Sequence, residues 1–138
     1  MTSLPDDQAP DAPAEVARRL LDCLAVQDFD NLAANLSDDV RLRALLPGDT
    51  KEWDGPERVK AVFVRWFGNT QEFELVETAV DERGPRVHVS WLARVRAERL
   101  GDGWFRVEQH AYAETDEHNR IRHLWLTCSG YLAETPSR

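Results

Sequence analysis

The sequence predicts an α+β domain in which helices in the first half of the chain cover one face of an antiparallel sheet built from the second half. Three observations lead there. Apolar residues recur at three- and four-residue spacing through much of the first half of the chain. They alternate with polar residues along most of residues 72–131. Short joins rich in glycine, aspartate and proline connect the alternating segments, which is the chemistry of antiparallel hairpins.

Composition narrows the function classes. A chain of 138 residues suits one domain. Its 17 Lys+Arg against 25 Asp+Glu leave a net charge of −8. That balance offers nothing to nucleic acid or to an anionic membrane, so neither is expected as a partner. No apolar run approaches the roughly 18–20 residues of a membrane helix. Residues 1–13 carry Pro5, Pro10 and Pro13 with Asp6, Asp7 and Asp11, and read as a mobile acidic tail without the features of a signal peptide. The domain is expected over residues 14–132, with a short tail at 133–138, and the cytoplasm is the expected location. Cys23 and Cys128 lie outside any CxxC pair, so they are expected as reduced thiols. No metal and no cofactor are expected.

The first element spans residues 14–27, where Val16, Leu20, Cys23, Leu24 and Gln27 form one stripe of an amphipathic helix. Asp28 reads as the cap of a short second helix anchored by Phe29, Leu32 and Leu36. Residues 39–46 alternate: Val40, Leu42, Ala44 and Leu46 share a face, and Arg41 and Arg43 fall on the other, which makes a half-buried strand. Pro47-Gly48-Asp49 ends it, and a polar loop follows. A third helix starts at Asp54-Gly55-Pro56-Glu57, with Asp54 as a natural cap and proline in the first turn. Val59, Val62, Phe63, Trp66 and Phe67 form its apolar stripe, and Gly68-Asn69 stops it.

Four strands follow, over residues 72–80, 86–99, 104–115 and 120–131. A tight Gly101-Asp102-Gly103 loop would set Glu98 against Arg106 and Arg96 against Glu108. Such cross-strand pairs contribute about 0.2–1 kcal/mol each. Extending the logic to the last hairpin places Ala111 by Leu124 and Gln109 by Leu126. One face of the sheet is then Val87, Val89, Trp91, Ala93, Val95, Val107, Gln109, Ala111, Leu124, Leu126 and Cys128, which the helices must cover. The other carries His88, Arg94, Arg96, Glu108, His110, Tyr112, His123, Trp125, Tyr131 and Ile121. Its aromatic residues suit a contact with a second copy of the chain or with another protein.

The order and spacing of several short segments then resemble a known superfamily. Helix 1 runs into Asp28-Phe29-Asp30, followed by Leu36-Ser37-Asp38-Asp39-Val40, Trp53-Asp54-Gly55 and a last hairpin through Arg120-Ile121. Over about residues 14–132 this is similar to the nuclear transport factor 2-like superfamily, which includes ketosteroid isomerases and SnoaL-like polyketide cyclases. The resemblance implies a cone-shaped fold in which a curved antiparallel sheet of mixed strand lengths wraps around three N-terminal helices, with a pocket at one end, and homodimers that use the outer face of the sheet. At the positions where the isomerases place their oxyanion tyrosine, general-base aspartate and protonated aspartate, this sequence has Leu20, Ala44 and Ala111. None can move a proton or stabilise an enolate, so that chemistry is not expected. Nor does the inner face show the Asp-Arg-Asp set of the superfamily's epoxide hydrolases.

What remains is an apolar pocket for a small hydrophobic molecule, lined by Leu20, Leu24, Ala44, Phe63, Trp66, Trp91, Gln109, Ala111 and Cys128. Asp49, Glu52 and Trp53 are expected at its rim. Gln109 is the polar residue in the middle of the inner face, able either to hold a ligand oxygen or to be satisfied internally. An enzyme acting on an apolar cyclic or polyketide-like substrate is the alternative, with Gln109 or a rim acid as the working group. A protein-interaction module using the outer face is a third. Of the histidines, His110 and His123 would lie diagonally on adjacent strands beside Glu108, which favours packing or a dimer contact over a metal.

Overall fold

A computed structural model describes the backbone of residues 4–134 and the side chains of residues 13–134. Helices α1 (Leu4–Ala25) and α2 (Phe29–Ala34) lead into strands β1 (Leu36–Leu46) and β2 (Asp49–Asp54). Helix α3 (Pro56–Phe67) follows, then β3 (Glu72–Arg83), β4 (Arg86–Arg96), a 3-10 turn (Glu98–Leu100), β5 (Phe105–Thr115), β6 (Ile121–Cys128) and β7 (Leu132–Ala133). The strands form one curved, open sheet in the order β2-β1-β6-β5-β4-β3, with β7 added beside β5. The β1–β6 pair is parallel and all others are antiparallel. The three helices cover the concave face: α1 packs on β3, β4 and β5, and α3 packs on β1, β2 and α2. Among the described residues no helix is long and apolar enough to cross a membrane.

Alternation decided the faces. Along β4 the burial pattern switches at every residue, and Val87, Val89, Trp91, Ala93 and Val95 are all buried. They join Val107, Ala111, Leu124 and Leu126 with Leu20, Leu24, Leu32, Phe63 and Phe67 in one core. Asp28 caps α2 as expected, its carboxylate accepting from the Asn31 backbone N–H at 3.2 Å.

Several expectations are corrected. Helix α1 starts at Leu4, so the tail expected over 1–13 is helical backbone from that residue. Pro5 falls in the first turn, where no hydrogen bond is lost. Residues 1–3 and 135–138 lie outside the described set. The tail expected from 133 instead contributes Ala133 to β7 and Glu134 to an ion pair with Arg94 at 2.8 Å. Leu36 is buried at the start of β1 rather than in α2. The polar loop after Pro47 is strand β2, held in a hairpin with Leu42 opposite Trp53 and Arg43 opposite Glu52. Asp54 does not cap α3: the N-cap is Gly55, and Asp54 accepts from Arg41 at 3.1 Å.

Both hairpin registers shift while both faces survive. Arg94 lies opposite Arg106, and Trp91 opposite Gln109. The 3-10 turn is the cause: Ala97 is buried and Leu100 packs against the core, so the connection is longer than three residues. The expected Glu98–Arg106 and Arg96–Glu108 pairs are replaced by Arg96–Glu72 at 2.8 Å and Arg94–Glu74 at 3.1 Å, both reaching to β3. In the last hairpin Gln109 faces Cys128 and Ala111 faces Leu126, after an irregularity between Glu114 and Thr115. Because each shift keeps the period of two, the faces of β4 and β5 stand as expected. Ile121 is buried, and Tyr131 folds inward to α3, so neither belongs to the outer surface.

Candidate functional site: a polar row in the apolar interior

Three neighbouring strands each send one polar side chain into the concave face at the same level. Trp91 on β4 stands opposite Gln109 on β5, and Gln109 stands opposite Cys128 on β6. Around this row the interior is apolar: Phe63 of α3 lies 6.4 Å from the Trp91 ring, centroid to centroid. Trp91 is 2% exposed and Gln109 is 1% exposed. The indole Nε1 of Trp91 and the amide Oε1 of Gln109 are both buried without a hydrogen-bond partner. Leaving such an atom unpaired costs about 1–3 kcal/mol, so two on facing positions are conspicuous; Arg96 Nε, on the outward-facing set of β4, is the third such atom among the described residues. The other buried polar residue, Ser37, donates to Asp39 at 2.8 Å.

One end of the interior is closed by an aromatic and cationic cluster. Trp66 lies edge-on to Phe63 at 5.5 Å and to Trp53 at 6.2 Å. The Tyr131 hydroxyl donates to the Trp66 carbonyl, and Arg99 donates to the carbonyls of Arg65 and Trp66 at 3.0 Å each. These donors meet the last turn of α3, whose free carbonyls and dipole favour a cation. Arg99 also sits 5.5 Å over the Tyr131 ring. Burial pushes the Tyr131 hydroxyl pKa up, while the neighbouring Arg99 opposes that rise. The Cys128 thiol is half-buried and accepts the Gly130 backbone N–H at 3.3 Å. Among the described residues no carboxylate or imidazole hydrogen-bonds the thiol; its partner is that backbone N–H.

The residues expected to line a pocket are therefore distributed as follows. Leu20, Leu24, Ala44, Phe63 and Ala111 are all 0% exposed and belong to the core. Trp91, Gln109 and Cys128 come together as the polar row. Trp66 and Trp53 are half-buried at the closed end. Asp49 and Glu52 are not brought to the interior: Glu52 pairs with Arg43 at 3.5 Å on the convex side, and Asp49 holds the Thr50 N–H at 2.8 Å.

Sequence reasoning missed the Arg99–Tyr131 closure and the contact between His88 and His110. The first had no local signal, since Arg99 lies in a segment that read as strand. The second needed the true register: His88 lies opposite Tyr112, two positions along from the Ser90–His110 pair and on the same face.

Comparison with known proteins agrees with this architecture. A model of the SnoaL-like domain matches residues 17–124. No curated protein matches the sequence. Among solved structures, Bal32a from a soil-derived mobile gene cassette superposes with a TM-score of 0.70 at 19% identity, covering 87% of this chain and 91% of that one. A candidate ketosteroid isomerase from Kribbella flavida gives 0.64 at 20% identity, covering 94% and 85%. A candidate polyketide cyclase from Xanthomonas campestris gives 0.66 at 16% identity, covering 85% and 90%. At these identities the likeness is one of fold.

Proposed function

The chain belongs to the SnoaL-like domain family, and from that premise we propose that it binds a small hydrophobic molecule bearing a hydroxyl group, held in the concave interior. One observation carries the reading: the unpartnered Trp91 Nε1 and Gln109 Oε1 face each other's strands within an apolar shell. A hydroxyl oxygen accepts from the indole N–H and donates its own hydrogen to the amide carbonyl, satisfying both. The surrounding Phe63, Leu20, Leu24, Ala44 and Ala111 supply the apolar contact that dominates small-molecule sites. Turnover of the isomerase or cyclase kind is the less supported reading. Among the described residues no carboxylate or imidazole is buried beside Trp91 and Gln109 to take a proton.

The test is native mass spectrometry of the protein from its own host, with extraction of anything bound, followed by thermal shifts across sterols, polyketides and fatty alcohols. A stoichiometric apolar alcohol whose shift disappears in Gln109→Leu supports the reading. A protein that binds nothing across the panel sinks it.

The convex face favours a separate reading, self-association. Leu45 and Tyr112 are 56% and 42% exposed beside Trp125, and they border a depression of about 340 Å³ with Arg43, Thr50 and Thr127. A second copy packing there buries the same patch on both chains. Light scattering of the protein and of Leu45→Glu decides it: a dimer converted to monomer is the expected result, and a monomeric parent removes the idea.

A further inference from the structure

The convex face also holds a short chain of polar contacts that the reading above does not use. The Glu108 carboxylate meets His110 Nε2 at 2.7 Å, and His110 Nδ1 meets His88 Nε2 at 3.3 Å. All three side chains project from neighbouring positions of β4 and β5, fixed by the observed register. The Glu108 and His110 side chains are 55% and 44% exposed, and depressions of about 340 and 320 Å³ adjoin His110.

We infer that His88 and His110 form an open two-histidine site for a divalent transition-metal ion that prefers imidazole, such as zinc, nickel or copper. Two nitrogens bound to one tetrahedral ion at about 2.0–2.1 Å stand roughly 3.3–3.4 Å apart. The His88 Nε2 to His110 Nδ1 separation of 3.3 Å already matches that spacing. Glu108 supplies the outer contact that metal-binding histidines use: it takes the N–H of the ring nitrogen remote from the ion and so leaves Nδ1 of His110 as a lone-pair donor. Without an ion, His88 donates its Nε2 hydrogen to that lone pair. On binding, that hydrogen moves to His88 Nδ1 through solvent, so both facing nitrogens become ligands and no net proton is released.

The site is a two-ligand one, completed by water: among the described residues no group of three or more His, Cys, Asp and Glu converges on a metal position. One further feature supports it. His123 is engaged elsewhere, on Glu114 at 3.0 Å, and its ring lies 5.1 Å from Trp125, so it does not compete.

The experiment is calorimetric titration of the 138-residue chain with zinc ion alone, near neutral pH. The expected result is one saturable site per chain that is lost in His88→Ala and in His110→Ala. Glu108→Gln should weaken it by about 10–100-fold through loss of the orienting carboxylate. His123→Ala should leave it unchanged. Absence of a saturable site, survival of the site in the double variant His88→Ala/His110→Ala, or equal loss in His123→Ala overturns the inference. Each substitution lies on a solvent-facing side chain, and circular dichroism of each variant separates lost binding from lost fold. The inference is independent of the proposed interior ligand and stands or falls without it.

Discussion

Arg94 and Arg106 stand directly opposite each other on β4 and β5, and the Glu134 carboxylate lies between their guanidinium groups, 2.8 Å from Arg94 and 4.0 Å from Arg106. Like charges facing across a ladder are unfavourable, so this arrangement depends on the acid that the end of the described chain brings back. The Trp104 ring adds a second support, 4.2 Å beneath the Arg94 guanidinium. Hydrogen bonding from Arg94 holds the Glu134 carboxyl below its ordinary value.

Glu134→Gln is therefore expected to lower the melting temperature near neutral pH. The sign of the pH dependence follows from the direction of the shift. A carboxyl with a depressed folded-state pKa stabilises fully above its unfolded value and loses that contribution as pH falls through the folded one. The difference between parent and variant should shrink below the ordinary carboxylate range, as thermal melts across an acid series would show. A difference independent of pH would assign the effect to packing.

Gln109→Leu should raise the stability of the protein without ligand. The substitution replaces an amide whose buried oxygen lacks a partner with an apolar side chain of comparable bulk, in a position 1% exposed. Removing that penalty is worth about 1–3 kcal/mol, read from urea unfolding. Gln109→Ala should instead destabilise, because it leaves a cavity of several methylene volumes. The two variants together separate an unsatisfied polar atom from a packing requirement. A Leu variant less stable than its parent would mean that Gln109 is already satisfied.

How far the sequence could be read depended on the range of the interaction. Faces were legible because they follow from a period of two: Trp91, Gln109 and Ala111 point inward, as alternation required. Register was not, because it depends on how many residues the connection consumes. The Glu98–Leu100 turn spends residues that charge pairing alone had placed in a strand. Strand β2 was invisible because its pattern, four exposed residues, a half-buried Trp53 and an exposed Asp54, is too polar to alternate clearly. The parallel contact of β1 with β6 joins segments far apart in the chain, which no local pattern signals. The three polar interior residues were each identifiable, but their meeting in one row required the true register.

Gly130 should resist substitution. Its φ of 82° lies in the left-handed region, and an added Cβ would come within 2.9 Å of the Pro47 ring. The same residue donates its N–H to Cys128 and precedes Tyr131, so it sets the path from β6 to the closed end of the interior. Gly130→Ala is expected to cost about 1–3 kcal/mol from backbone strain, with the contact to Pro47 adding to it. Denaturant unfolding checks this, and a variant as stable as the parent would show that the turn relaxes freely.

Tyr131 supplies the sharpest spectroscopic test of the closed end. Its hydroxyl donates to the Trp66 carbonyl at the end of α3, and burial raises its pKa above the ordinary value of 10.0. The protein has two tyrosines, so Tyr112→Phe isolates the signal. In that background phenolate absorbance should appear at a pH above the one seen for a free tyrosine. Because the unfolded chain gives up this proton first, stability should fall as pH rises past the ordinary tyrosine value and on toward the folded one. Tyr131→Phe should flatten that alkaline limb. It should also cost about 0.5–1.5 kcal/mol at neutral pH for the lost hydrogen bond. If the proposed ligand enters past Trp66 and Tyr131, the same variant should speed ligand release, and stopped-flow displacement would detect it. An unchanged release rate with the expected loss of stability would place the entrance elsewhere.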